Sequence, residues 1–101
     1  MTTERELIAG FAQTKVKGGK MVRLHLIHDG ESVRSVRING DFLLHPEEAL
    51  EMIEMGLNGL LVYGERDMYL SRIEEEVRSQ EAQLIGFSEE DIADLIMEAM
   101  E

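Results

Sequence analysis

The chain has 101 residues, of which 44% are apolar and 31% charged, a balance typical of one folded domain with one core. It contains no cysteine, which excludes disulfides, zinc–thiolate sites, iron–sulfur clusters and thiol nucleophiles. No apolar run approaches the length of a membrane span or a signal-peptide core, so we expect a cytoplasmic protein.

Charge is distributed unevenly, although the formal net charge is −11. Residues 1–40 hold seven basic and four acidic residues, whereas residues 41–101 hold three basic and 17 acidic ones. This acidic excess argues against nucleic-acid binding, which requires a concentrated positive surface to displace counterions. The acidic part is typical of solvated helix faces, and the basic part is the more informative one.

The first 14 residues fit two structures, and their order is left open. Thr3 stands where it can cap a short helix, although Gly10 would weaken that helix. Residues 11–17 fit an edge strand equally well, ended by the glycine pair that follows. We assign the whole chain, residues 1–101, to a single domain.

A β-hairpin begins at Met21, because apolar and polar residues then alternate with the period of a half-buried strand. Asp29 and Gly30 predict a tight turn, and residues 33–38 form the return strand.

The length of the hairpin loop sets the strand register. A three-residue loop aligns Leu24 with Val36 and Val22 with Ile38, whereas a two-residue loop would mix the two faces. Arg34 then falls on the apolar side opposite Leu26, and we expect its charged end to reach solvent. The apolar face carries Val22, Leu24, Leu26, Val36 and Ile38, and the opposite face carries Arg23, His25, Ser35 and Arg37.

The segment 38–46 joins this hairpin to a helix. Gly40 permits a backbone turn that a side chain would resist, and the Asp41 carboxylate can bond nearby amides or face a partner. Pro46 fits the first position of the helix that follows.

Three helices are predicted after the hairpin. Apolar residues at helical spacing indicate helices at 47–57 and 65–82. Ser88 caps a third helix, with Asp91 at the capping-box position. A hairpin followed by helices predicts an α+β fold, with a small antiparallel sheet of about three strands packed with about three helices.

The residues provide no self-sufficient catalytic site. His25 and His28 point to opposite faces of one strand and cannot share a metal, and no third ligand follows at coordinating spacing. No serine, histidine and acid occur together in a recognisable motif. We therefore predict no catalytic residue and no metal ligand in this chain.

Lys17 and Lys20 flank a glycine pair in a short basic loop that leads into a strand. The loop lacks the spacing of a phosphate-binding P-loop, whose lysine opens a helix. An exposed turn is the simpler interpretation. One edge of a composite anion site, shared with another subunit, stays open as the alternative.

Taken in order, several elements resemble the C-terminal domain of lipoate–protein ligases over residues 15–100. They are the glycine pair at 18–19, the strand 22–26, the turn at 29–30, Val33, the motif 38–42, Pro46, Leu50, the helix end at 57–59, Gly86 and the helix that begins after Ser88. The large catalytic domain of that family is missing, and Leu43 stands where the family more often has a second aromatic residue. This arrangement resembles the bipartite archaeal form, in which the accessory domain is a separate subunit.

The resemblance implies a SufE/NifU-like α+β fold and a heterodimer with the catalytic large subunit of the ligase. The assembled ligase would use ATP and Mg²⁺ to adenylate lipoate, and then pass the lipoyl group to a lysine of an acceptor lipoyl domain. This chain alone would bind no cofactor. It would be needed for adenylation and less so for transfer, and it would contact the acceptor protein only indirectly.

We expect the partner to contact residues 40–45 together with the basic face of the hairpin. The predicted interface residues are Gly40, Asp41, Phe42, His45, Arg23 and Arg37, with Lys17 and Lys20 as the anion contact. The alternatives are a stand-alone interaction or metabolite-sensing module of the same fold, a nucleic-acid adaptor, and a small hydrolase with an unrecognised site.

Overall fold

Five strands and three helices make up the part of the chain that the computed structural model describes, residues 6–16 and 18–101. They are, in chain order, β1 (Ile8–Lys15), β2 (Met21–His28), β3 (Val33–Gly40), β4 (Leu43–His45), α1 (Glu48–Gly56), α2 (Arg66–Ser79), β5 (Gln83–Ile85) and α3 (Glu89–Ala99).

Strands β1, β2 and β3 form an antiparallel sheet in that order, and the helices pack on one face of it. Helix α3 lies against β1 and β2, and α1 lies against β3. The α+β fold with a three-stranded antiparallel sheet and three helices is confirmed. Its core lies between the sheet and the helices, and includes Val22, Leu24, Leu26, Ile38, Ile53, Tyr69, Ile73, Ile92, Leu95 and Ile96.

The hairpin register differs by two residues from the prediction, although the faces are as predicted. Leu24 pairs with Ile38, and Leu26 pairs with Val36. The loop is longer than expected because the Asp29 carboxylate accepts hydrogen bonds from the backbone N–H groups of Glu31 at 2.9 Å and Ser32 at 2.8 Å. These bonds satisfy two loop amides that strand pairing would otherwise have to satisfy.

A bulge at the end of the hairpin changes the position predicted for Arg34. Ile27 pairs with Ser35 and His28 pairs with Val33, so Arg34 has no residue opposite it. Its side chain is exposed and forms an ion pair with Asp29 at 3.1 Å. The expected solvent contact is present, but the predicted pairing with Leu26 is wrong because the bulge adds a residue to β3.

The strand interpretation of the N-terminal segment is the correct one. Strand β1 pairs with β2 along its whole length, from Ile8 opposite His28 to Lys15 opposite Met21. A Cβ atom at Gly10 would overlap the carbonyl oxygen of Ala99, so glycine lets β1 lie directly on the end of α3. Thr3 and the helix cap predicted for it lie outside the described residues.

A two-stranded sheet of β4 and β5 was not predicted. Leu43 lies opposite Ile85, and His45 lies opposite Gln83. Helix α1 therefore begins at Glu48 and not at Pro46, whose carbonyl oxygen accepts a hydrogen bond from the Ala49 N–H at 3.0 Å. The peptide bond between His45 and Pro46 is cis.

The ends of the other two helices have distinct local causes. Helix α2 stops at Ser79, three residues before the predicted end, in a Schellman motif whose left-handed residue is Glu81, with φ of 50°. Helix α3 begins with the predicted capping box of Ser88 and Asp91. None of the described helices is long and apolar enough to cross a membrane.

Candidate functional site: a basic face and an adjoining corner

The outer face of the three-stranded sheet, opposite the helices, is basic. None of the residues in β1, β2 and β3 is acidic, whereas Lys15, Arg23 and Arg37 all lie on this outer face. Within the described residues, none of the three has a carboxylate within ion-pair distance. We call this surface the basic face. On a chain with a net charge of −11, it is a local surface of opposite sign.

An aromatic pair lies in the middle of the basic face. Phe11 on β1 is opposite His25 on β2, and their ring centroids are 4.7 Å apart. Arg37 on β3 is opposite His25, so one row across the sheet carries a phenyl ring, an imidazole and a guanidinium. Phe11 keeps 49% of its surface exposed, although apolar side chains of this size are usually buried. The row can therefore offer a partner both apolar contact and positive charge.

The corner comprises residues 40–45, at one end of this sheet. A Cβ atom at Gly40 would overlap the carbonyl oxygen of Met21, and that oxygen accepts a hydrogen bond from the Asp41 N–H at 2.9 Å. Glycine is thus required for the close crossing of two strands, as the turn prediction implies. The Asp41 side chain is exposed and has no hydrogen bond among the described residues.

Phe42 attaches the corner to the helical layer. Its ring stacks on Phe87, with centroids 4.1 Å apart and planes inclined by 26°. Phe42 is half-buried and Phe87 is buried, so this pair packs the corner against the segment that precedes α3. Phe42 consequently offers a partner less surface than its neighbour Leu43.

Leu43 and Ile85 form an exposed apolar pair across the β4–β5 sheet. Leu43 is 67% exposed and Ile85 is 49% exposed. A cleft of about 280 Å³ adjoins Leu43, lined also by Phe42, Leu44, Glu47 and Leu50. Two adjacent apolar side chains exposed beside a cleft are typical of a protein-contact surface.

The remaining predicted residues occupy different places. His45 is exposed on β4, which belongs to the two-stranded sheet and not to the sheet of the basic face. The side chain of Lys20 lies beside Gly86. The next residue, Met21, accepts a hydrogen bond from the Asp41 N–H through its carbonyl oxygen, so Lys20 lies at the corner. Lys17 lies outside the described residues. The structure thus brings together the corner and Lys20, and separately Arg23 and Arg37.

Two parts of this surface were missed from the sequence. Phe11 lay in the segment whose structure was open, so its pairing with His25 could not be derived. Ile85 became a neighbour of Leu43 only through the unpredicted β4–β5 pairing. Residues 8–15 show no alternation of apolar and polar side chains, so no sequence signal placed Phe11 on a common face with Lys15.

Two residues of helix α2, Tyr69 and Arg66, have shifted pKa values. Burial raises the pKa of Tyr69, against the opposing effect of a hydrogen bond from the Gly64 N–H. A side-chain hydrogen bond to Asp94 raises the pKa of Arg66. The described residues also contain no cluster of histidine and acidic side chains that could hold a metal ion.

No protein-family model matches the chain, and no curated protein matches its sequence. A solved structure does match: a chain from the structural analysis of an archaeal lipoylation system, a bi-partite lipoate protein ligase and its E2 lipoyl domain from Thermoplasma acidophilum. The TM-score is 0.69 and the sequence identity is 22%, over 92% of this chain and 97% of that chain. The two chains share a fold, as the resemblance found in the sequence implies.

Proposed function

We propose that this chain is the accessory subunit of a two-component lipoate–protein ligase, required with a catalytic subunit for adenylation of lipoate. The observation that carries the proposal is the shared fold along nearly the full length of both chains, at a TM-score of 0.69. The matched chain comes from a bi-partite ligase system, and its length is close to that of this chain. The ordered motifs from residue 18 to the helix after Ser88 support the same assignment independently.

The division of labour follows from the chemistry. In the first step the lipoate carboxylate attacks the α-phosphorus of ATP, and pyrophosphate leaves. In the second step a lysine amine of the acceptor attacks the resulting mixed anhydride, and AMP leaves. ATP, Mg²⁺ and lipoate would bind in the assembled ligase, as the resemblance to the ligase family implies. The accessory subunit then acts by shifting the catalytic subunit toward its competent conformation.

The corner and the basic face are the surface through which we propose this effect. Leu43 and Ile85 offer apolar area at the corner, where Lys20 adds a positive charge, and Arg23 and Arg37 offer positive charge on the basic face. Desolvated apolar residues supply most of the affinity of an interface, and charges at its margin supply orientation and association rate. Phe42 keeps this segment in place through its contact with Phe87.

The test measures pyrophosphate release by the catalytic subunit, with lipoate and ATP, in the presence and absence of this chain. We expect Leu43→Asp to weaken binding by about tenfold or more, since a charge would enter an apolar contact. Asp41→Ala tests the polar part of the same corner. The matched control is Arg78→Glu, which changes an exposed charge at the end of α2.

If wild-type protein neither binds the catalytic subunit nor increases adenylation, the proposed function is wrong. If it does both and the corner variants behave like the control, the function stands and the corner is not the contact. A gene for a ligase catalytic domain next to the gene for this chain would be independent support. A stand-alone interaction module would show neither the complex nor the neighbouring gene.

A further inference from the structure

The sheet has two edge strands, and the free side of β3 is covered from within the chain. The Ile38 N–H donates to the Glu54 carboxylate of α1 at 2.7 Å. The Val33 N–H donates to the Leu60 carbonyl oxygen at 2.8 Å, and the Val33 carbonyl oxygen accepts from the Gly59 N–H at 2.7 Å. Backbone groups along this edge are therefore paired with α1 and with the loop that follows it.

Strand β1 has no corresponding cover among the described residues. Within residues 6–16 and 18–101, no hydrogen bond reaches residues 8–15 from the side away from β2. Exposed edges are usually protected by a proline, a bulge or an inward-pointing charge. β1 has none of these: it pairs with β2 without a register shift, and its one charged residue, Lys15, is at its end. An eight-residue strand thus offers unpaired N–H and C=O groups to another chain.

Large apolar side chains are exposed at this same edge. Leu7 is 58% exposed, Ile8 is 45% exposed and Phe11 is 49% exposed. Ile8 and Phe11 point to opposite faces of the sheet, because side chains alternate along a strand. A strand added beside β1 would therefore find apolar contacts on both of its faces.

The two faces differ in charge, and this difference defines the chemistry of the partner. On the outer side, Lys15 and the two arginines of the basic face are without acidic partners in the described residues. An added strand with aspartate or glutamate at alternate positions would be complementary to them.

On the inner side apolar side chains predominate. Ile8 pairs with His28, whose ring centroid is 5.7 Å from that of Tyr63. Tyr63 lines a cleft of about 280 Å³ together with Met97 and Met100, and also with Gly64 and Glu101. Apolar side chains at the intervening positions of the added strand would face Ile8 and the end of α3.

We propose that a strand of the catalytic subunit adds to β1 and extends the sheet to four strands. In this segment of the partner, acidic residues alternate with apolar ones. The acidic side chains lie on the same side of the sheet as the basic face, and the apolar side chains lie on the side of α3. The inference rests on the proposed function and identifies a mode of association, strand addition, that is separate from the contact at the corner. Main-chain hydrogen bonds supply affinity, and the alternating side chains supply specificity.

Two other occupants fit the surface less well. A nucleic acid could use the cations and Phe11, but it cannot form the main-chain ladder that the edge of β1 offers. A second copy of this chain would place Lys15 and Arg23 of both copies on one extended face, where like charges repel. A peptide strand with acidic residues at alternate positions can form hydrogen bonds with the backbone of β1 and ion pairs with the cations of the basic face.

The experiment follows amide hydrogen exchange along β1 in the free chain and in the complex with the catalytic subunit. In an edge strand, successive backbone groups point alternately inward and outward. We expect every second amide of residues 8–15 to exchange about 100-fold more slowly in the complex, while its β2 neighbours change little. We also expect Lys15→Glu and Phe11→Ser each to weaken the complex about tenfold, with Arg78→Glu as the control.

The outcomes separate this inference from the proposed function. A complex that supports adenylation but leaves β1 unprotected overturns strand addition and leaves the function standing. Absence of any complex overturns both. Protection of β1 in the free chain that rises with its concentration would identify a second copy as the occupant and overturn the inference. The inference would also be overturned if the chain retained single-stranded RNA, if Arg37→Glu abolished that retention, and if β1 stayed unprotected.

Discussion

Strands β1 and β3 are the two edges of one sheet, and the chain treats them differently. The β3 edge is hydrogen-bonded to Glu54 and to the loop after α1, whereas no hydrogen bond from the described residues reaches the free backbone edge of β1. β1 is instead held through its inner face, where Gly10 lies on Ala99. The difference shows that edge protection is a separate feature from strand stability. A strand can be firmly packed by a helix and still offer its backbone to a partner.

Gly10→Ala tests whether β1 is held by its inner face, and it carries the largest expected effect. The added Cβ would overlap the Ala99 carbonyl oxygen, so β1 or α3 must move. We expect a loss of about 3 kcal/mol in the free energy of unfolding, measured by urea denaturation. Ala9→Val, one residue away and exposed, is the control and should change stability by about 0.5 kcal/mol or less. Equal stabilities of the two variants would contradict the packing described for β1.

Tyr69→Phe tests the loop that covers the β3 edge. The Tyr69 hydroxyl donates to the Leu61 carbonyl oxygen at 2.6 Å and accepts from the Gly64 N–H at 3.0 Å. Leu61 in turn forms a bridge with Ser32, next to β3. Removing the hydroxyl leaves both groups without this partner, and we expect a loss of about 2 kcal/mol. Tyr63→Phe, at an exposed ring, should leave stability unchanged.

The same residue gives a prediction for pH. Burial raises the pKa of Tyr69 above the unfolded value of 10.0. The unfolded chain therefore loses the phenolic proton first, so stability is fully present below about pH 10 and is lost as pH rises toward the folded pKa. Urea titrations between about pH 8 and 11 should show a steeper fall for the wild type than for Tyr69→Phe. Parallel curves would show that the hydroxyl ionises equally in both states.

Glu54→Ala opens the β3 edge at Ile38, while the bonds of Val33 to the loop after α1 stay in place. The Ile38 N–H loses a charged acceptor at 2.7 Å, for which we expect a loss of about 1.5 kcal/mol. The amide of Ile38 should also exchange faster with solvent. Glu51→Ala, which removes an exposed carboxylate from the same helix, is the matched control. If Ile38 stays protected in Glu54→Ala, the edge is closed by the loop alone.

The candidate site was predictable in its composition but not in its arrangement. Arg23, His25 and Arg37 were correctly placed on one solvent-exposed face of the hairpin, because alternation along a strand fixes the side of the sheet on which each side chain lies. Phe11 was not assigned to that face, because the N-terminal segment fits a short helix and an edge strand equally well. The exposed pair at the corner required the contact between Leu43 and Ile85, which lie 42 positions apart in the sequence. No local pattern contains such a pairing.

The sequence by itself determined the hairpin followed by three helices, the apolar faces of the hairpin and the cap at Ser88, because these depend on neighbours within a few residues. The tertiary structure decided the register, the early end of α2 at Glu81 and the β4–β5 sheet. Those features depend on a bulge, on a left-handed residue that is not glycine, and on a strand pair distant in sequence. It also decided which sheet edge is covered, because Glu54 reaches Ile38 only after α1 has packed on β3.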